Sequence, residues 1–294
     1  MTVSLKSSRL FDAARRTIVM PAMAAMAACF LTAGTAAASA PARPSDVDLL
    51  YKVYIGGFHV VDLRLDIGFA PANYDVKANL KSSGMIGQMF PWTMQAYSQG
   101  AFAEGGTIVP LSAGQQNTWR GQERFIDLKF TDGIARVERV KPEPSADDRD
   151  AVPEGLRAGA LDLTSAIMAI ITRMQGDDAC QGNIPVFDGR RRYDLMVEPD
   201  GADRLKPNRY SPFEGATVNC LIWIDKKAGF KRKDSSGWND QDRRARVWMG
   251  RAFGDAPPVP VRLTFDTPFG ALIAHLNRAT LTSGDSRQSL SQAD

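Results

Sequence analysis

Alternation of apolar and polar residues with a period of two runs through most of this chain. In LLYKVYIGGFHVVDLRLDI, residues 49 to 67, Val61, Leu63, Leu65 and Ile67 fall on one side, with Asp62, Arg64 and Asp66 on the other. That is the pattern of a strand with one face buried and one in water. Gly56-Gly57 interrupts the run as a tight hairpin turn, because glycine takes positive φ without a steric penalty. NYDVKANLKS repeats the pattern, setting Tyr74, Val76, Ala78 and Leu80 against Asp75, Lys77, Asn79 and Lys81. Further strands are expected in WTMQAYSQGAFAE, RFIDLKF and IARVERV, the last two joined by a Thr131-Asp132-Gly133 turn. The second half adds NIPVFDG, RRYDLMVE, TVNCLIWIDK, ARVWMGRAF, PVRLTFDT and GALIAHLNRATL.

One segment changes period. LDLTSAIMAIITRM, residues 161 to 174, places Leu163, Ile167, Ile170, Ile171 and Met174 on one helical stripe, with Asp162 as the N-cap. Its β-branched residues lower intrinsic helix propensity, so burial against the sheet must stabilise it. The segments 141–158, 199–215 and 226–244 are rich in charge, proline and glycine and read as exposed loops. The tail from 283 to 294 lacks apolar periodicity and reads as disordered.

The N-terminus is a different kind of sequence. Lys6, Arg9, Arg15 and Arg16 precede the apolar run TIVMPAMAAMAACFLTAG and a small-residue stretch, in the order of a secretory signal. Cleavage is expected near Ala38, because cutting after Ala40 would leave Pro41 next to the scissile bond. Two variants stay open: MAAC is close to a lipobox that would acylate Cys29, and ARRTIVM carries the two arginines of a twin-arginine signal. The expected organisation is a signal over 1–38, one β-rich domain over 39–282 and a disordered tail. No permanent transmembrane span is expected.

Removal of the signal changes the charge. The chain has 36 Lys and Arg against 33 Asp and Glu; four of the former and only Asp12 of the latter precede residue 39, leaving 32 of each. A neutral mature chain gives no reason to expect nucleic acid as a partner. Only Cys180 and Cys220 then remain, an even pair in a chain bound for an oxidising space, and a disulfide between them is expected. With His59 and His275 as the only imidazoles, and no G-x-S-x-G, H-E-x-x-H, P-loop or Rossmann pattern, no metal and no cofactor are expected.

CQGNIPVFDGRRRYDL, residues 180 to 195, concentrates charge around a turn. Asp188-Gly189 reads as a hairpin, and the strand beyond it cannot bring Arg190, Arg191 and Arg192 to one face. Asp188, Arg190, Arg191, Arg192, Tyr193 and Asp194 therefore form a candidate polar cluster dominated by local pairing, with room for one arginine to hold an anion.

Four stretches, YKVYIGGFHVVDLRLDI, DLTSAIMAI, CQGNIPVFDGRRRYDL and PVRLTFDTPFGALIAHL, resemble an uncharacterised bacterial envelope family, domain of unknown function thirty-one-zero-eight. The likeness covers roughly residues 48 to 282, with FDGRRRYD its most distinctive part; the helix departs from the family's usual Asp-Pro opening at Asp162-Leu163. The resemblance implies an exported protein with a long curved antiparallel sheet, a half-open barrel or spiral, wrapped around one central helix. That architecture is similar in kind to periplasmic lipoprotein carriers. It transfers no catalytic residue.

Two functional readings follow. A periplasmic binding protein would hold a lipid, an acylated chain or a peptide of the envelope in an apolar groove, for which Met85, Met89, Phe90, Trp92 and Met94 are the candidate lining, since methionines and large rings suit an adaptable surface. Alternatively, a structural protein would dock an envelope protein or glycan partner through its sheet edge or through the basic loop that carries Trp238. An enzyme is the third reading, requiring Asp188 or Asp194 to converge with another polar group in a cleft.

Overall fold

The computed structural model describes residues 45–292 apart from 144–148, 175–179, 233–242 and 255, together with the backbone but not the side chain of Ile86. The expected signal segment, Cys29 and Trp238 lie outside the described residues. A single antiparallel sheet makes up most of the structure. Its first seven strands are β1 (Ser45–Ile55), β2 (Phe58–Phe69), β3 (Asn73–Ser82), β4 (Trp92–Phe102), β5 (Ile108–Trp119), β6 (Gln122–Thr131) and β7 (Ile134–Lys141). A short helix, α1 (Gly84–Met89), joins β3 to β4, and α2 (Leu163–Arg173) precedes the second half. The remaining strands are β8 (Gly182–Phe187), β9 (Arg192–Leu205), β10 (Gly215–Ala228), β11 (Ala245–Gly250), β12 (Val259–Thr267), β13 (Gly270–Ser283) and β14 (Ser286–Ser291).

The strand order is β7-β6-β5-β4-β3-β2-β1-β13-β12-β11-β10-β9-β8, with β14 added to β13. Paired strands are therefore consecutive in sequence everywhere except at the β1–β13 pair, which joins the two halves. The two outer strands, β7 and β8, are linked by a connecting strip. Gly159 N donates to Gly133 O at 2.8 Å, Leu161 N to Pro185 O at 2.8 Å and Phe187 N to Leu161 O at 2.8 Å. Residues 158–161 thus occupy the seam of a nearly closed, barrel-like sheet, bridging the start of β7 and the end of β8.

Helix α2 packs part of its surface into the main core. Asp162 caps it by accepting from Thr164 N and Ser165 N, both at 3.0 Å, and Ala166, Met168, Ala169, Ile170, Ile171 and Met174 join the main core. The expected stripe is corrected at two positions: Leu163 and Ile167 are 45% and 40% exposed. The cap fixes the helix's rotation, because Ser165 hydrogen-bonds Tyr74 and Ser98 of the sheet at 2.7 and 2.8 Å and turns Leu163 and Ile167 outward. Little space is left beneath it: Val47, Leu49, Ile67, Phe69, Ile171 and Phe253 enclose only about 10 Å³.

Cys180 and Cys220 are bonded, with Cα atoms 5.2 Å apart, tying the approach to β8 onto β10 across β9. The turns at Gly56-Gly57, Asp132-Gly133 and Asp188-Gly189 are hairpins as expected. Three expectations are corrected. The tail is ordered into β14, which pairs Ser286–Ser291 with Ser283–Arg278 and packs Leu290 on the core. The polar stretch after Glu198 continues β9 to Leu205, because Asp203 accepts from Trp248 Nε1 at 2.7 Å and Asn219 Nδ2 at 2.9 Å. Residues 108–119, not recognised as a strand, form β5. Among the described residues no helix is long and apolar enough to cross a membrane.

Candidate functional site

The FDGRRRYD stretch sits at the seam. Asp188 organises the β8–β9 turn: one carboxylate oxygen accepts from Arg190 N at 3.0 Å and Arg191 N at 2.7 Å, and the other from Arg191 Nε at 2.8 Å. Gly189, at φ 89°, faces β6. A Cβ there would fall 2.3 Å from Ile126 Cγ2, so only glycine lets this turn close onto the opposite half of the sheet.

The three arginines take different partners, but not through strand alternation: Arg190 and Arg191 belong to the turn, both lining the same cavity, and β9 begins only at Arg192. Arg190 reaches across the seam and donates to Pro142 O. Arg191 folds back on Asp188 and lies 5.7 Å from the Phe230 ring, which Lys226 approaches from 5.3 Å. Arg192 pairs with Asp194 at 2.5 Å and donates to Leu156 O at 2.9 Å. Burial raises the Asp194 pKa, but the hydrogen bond and charge of Arg192, with Asn183 and Lys227, outweigh it and hold the carboxylate below its usual range. Tyr193 is buried, and desolvation pushes its phenol well above the ordinary value.

Around this turn lies a groove with two lobes. The first, about 430 Å³, is lined by Arg124, Lys141, Arg149, Arg190, Arg191 and Lys231, with Asp188 the one acidic residue among the described lining and Phe125, Ile126 and Phe230 as apolar wall. The second, about 600 Å³, shares Arg149 and Arg190 and adds Val137, Val140, Val152 and Phe187 as apolar wall, with the carboxylates of Glu138, Glu143 and Asp150 and further arginines on its charged side. Burial, then repulsion from Arg149 and Arg124, pulls the Arg190 pKa below its ordinary value. Like charges held together in a partly desolvated cleft favour an anion. The arrangement can grip an anionic group with its cationic lobe and accept an apolar chain in the second.

Other predicted residues go elsewhere. Met85 and Met89, on α1, are 69% and 68% exposed, Phe90 is exposed, and Trp92 and Met94 are half-buried at the start of β4. None of them lines either lobe of the seam groove; α1 is a six-residue helix joining the ends of two strands. Asp188 and Asp194 do not converge on an imidazole. His59 bonds Asp62 at 3.0 Å, while His275 stacks on Tyr210 with ring centres 5.2 Å apart. Both histidines flank Tyr54 in an aromatic cluster, at 5.3 and 6.1 Å. Burial, then the Arg262 charge, pushes the His275 imidazole down to about 4. Among the described residues no three acidic, histidine or cysteine side chains are grouped to hold a metal ion.

Inspection of the sequence missed Arg124, Phe125, Ile126, Lys141 and Arg149. They come from β6, β7 and the following loop and meet the β8–β9 turn only when the sheet curls shut. The basic positions of β6 and β7 were the available signal, and they read equally well as a solvated face.

Fold and groove together define a disulfide-stapled antiparallel barrel with a cationic seam. The chain belongs to the family described as protein of unknown function (DUF3108), which matches residues 50–277. No curated protein matches it. Among solved structures it is similar to the beta-barrel-like protein of domain of unknown function DUF1849 from Brucella abortus, at 10% identity and a TM-score of 0.48, over 82% of this chain and 99% of that one.

Proposed function

We propose that this chain is an exported, periplasmic envelope protein that binds an anionic amphiphile, a lipid or an acylated envelope component, in the seam groove. The observation that carries the reading is the cationic lobe, in which, among the described residues, six basic side chains surround one carboxylate, beside a second, mixed lobe whose apolar wall is Val137, Val140, Val152 and Phe187. Ligand pockets commonly pair an apolar wall with a few placed charges in this way. In this reading the curved sheet serves as a half-open carrier barrel, comparable in kind to the lipoprotein carriers, with the ligand at the seam. The leader-like N-terminus and the Cys180–Cys220 bond support export.

Native mass spectrometry of protein purified from a periplasm, before and after organic extraction, tests it. A stoichiometric acidic lipid or acyl adduct is expected in the wild type and its loss in Arg124→Gln/Lys141→Gln. Ligand-free wild-type protein, or an adduct unaffected by that variant, sinks the groove reading and favours the alternative, a protein that docks an envelope partner.

A further inference from the structure

The apolar side chains most exposed in the described structure are gathered at one end of it. Phe269 is 72% exposed, Met85 69%, Met89 68% and Phe58 64%. The registers place all four in turns at the same end of their strands: Phe58 follows the β1–β2 turn, Phe269 lies in the β12–β13 turn, and α1 spans β3 to β4. These turns are neighbours. Gly56 N donates to Ala271 O at 3.3 Å, and Ser83 N, just before α1, donates to Val60 O at 2.8 Å. The ridge continues along the rim, since Trp92 pairs with Trp119 at the next hairpin and the Arg120 guanidinium lies 5.7 Å from the Trp119 ring.

The two ends differ in character. Beyond Arg120 the apolar rim leads to Arg124, Lys141 and Arg190 of the seam, which stand at this same end. Four of the opposite turns are short, Ala70-Pro71-Ala72, Glu104-Gly105-Gly106, Asp132-Gly133 and Gly284-Asp285, and none of these four carries a large apolar side chain. The longer β9–β10 and β11–β12 connections at that end carry Arg209 and Arg251 and bury Phe213 and Phe253. An exposed ridge of phenylalanine, methionine and tryptophan flanked by cations is complementary to an anionic lipid surface.

We propose that this end of the barrel docks onto an anionic bilayer, the Phe58–Met85–Met89–Phe269 ridge entering the headgroup layer and the adjacent cations meeting lipid phosphates. Met85 and Met89 are adaptable side chains suited to a fluid partner, and turns bring them forward without unsatisfied strand edges. The ridge is separate from the seam groove, so this docking does not depend on a ligand being held there.

Co-sedimentation with phosphatidylcholine vesicles, with and without about one-third phosphatidylglycerol, tests the proposal, all proteins being compared in the same processed state so that any N-terminal leader contributes equally. The wild type is expected to bind the mixed vesicles about tenfold more strongly than the neutral ones. Phe58→Ser/Met85→Ser/Met89→Ser/Phe269→Ser is expected to lose about tenfold in binding at an unchanged melting temperature, because the altered side chains are exposed. Trp119→Ser/Arg120→Glu, on the neighbouring turn, supplies an independent second loss. Arg124→Gln/Lys141→Gln retains the dependence on the ridge even where it abolishes the groove ligand, which separates this proposal from the groove reading. Undiminished binding by the ridge variant, failure of the wild type to bind either vesicle, or a change from dimer to monomer in place of lost lipid binding overturns it.

Discussion

Gly189 on the β8–β9 turn packs against Ile126 of β6, so closely that a methyl group at the glycine would stand 2.3 Å from the isoleucine's Cγ2. This contact joins two parts of the sheet that share no strand pairing, and it is where the groove's walls meet. Gly189→Ala adds both a left-handed penalty, at φ 89°, and a clash with a buried side chain. A loss of about 2 to 4 kcal/mol is expected from these combined costs. Urea titration of the variant checks it, and Gly189→Ala/Ile126→Ala should recover the steric part while keeping the conformational part.

Reduction of Cys180–Cys220 should destabilise the fold. The bond closes a loop with a sequence separation of 40, which the chain-entropy relation values at roughly 4 kcal/mol. For a domain of this size that corresponds to a melting temperature lower by about 10 °C. Both cysteines are buried, so reductant acts only after local opening. Cys180→Ala/Cys220→Ala gives the same comparison without that kinetic barrier, and an unchanged melting temperature would count against the staple.

Asp162 combines two roles whose energetics oppose each other. Its carboxylate caps α2 and accepts from the Ser98 hydroxyl at 3.0 Å inside the core. Burial raises its pKa despite the hydrogen bonds from Ser165, Ser98 and Thr164. A carboxyl whose folded pKa lies above its unfolded one favours folding more as pH falls through the folded value, since the neutral form is the one the core accepts. Asp162→Ala should cost about 1 to 2 kcal/mol for the cap alone. Asp162→Asn keeps an accepting oxygen, so it should cost less at neutral pH and lose the acid-side gain; melting curves between pH 7 and the carboxylate range compare the two.

How much of this was legible beforehand depended on whether a residue's partner was local. The alternation of Val61, Leu63, Leu65 and Ile67, the glycine turns, the Asp162 cap and the Asp188 turn are set within a few residues, and each was readable. β5 was not, because its neighbours already fill the space it would pack into: a Cβ on Gly114 would lie 2.6 Å from both Asp127 Oδ1 and the Tyr97 ring. Small residues there erase the apolar alternation. β14 escaped notice for the opposite reason, since an edge strand needs only Leu290 on the core and leaves Ser286, Arg287, Gln288 and Ser289 exposed. The groove was half legible: Asp188–Arg192 announced a charged turn, but Arg124 and Lys141 reach it only through closure of the sheet.

His275 should make the protein less stable in mild acid. The imidazole is packed against Tyr210 and near Tyr54 on the outer face of β13, and burial followed by the Arg262 charge holds its folded pKa at about 4, against an ordinary 6.5. A histidine depressed on folding contributes stability that is fully present above the unfolded value. As pH falls below 6.5 the unfolded chain takes up a proton that the folded one refuses, and the contribution drains away until the folded group also protonates near 4. The slope is opposite in sign to that of Asp162, so a melting profile of the wild type alone would mix the two. His275→Gln removes the titration while retaining hydrogen-bonding capacity and a planar end. Its melting temperature should therefore vary less than that of the wild type between pH 7 and pH 4.5, even where it starts lower because the ring contact with Tyr210 is lost. Parallel wild-type and variant profiles would mean that the imidazole is solvated in the folded state, and that the arm carrying Tyr210 does not cover it in solution.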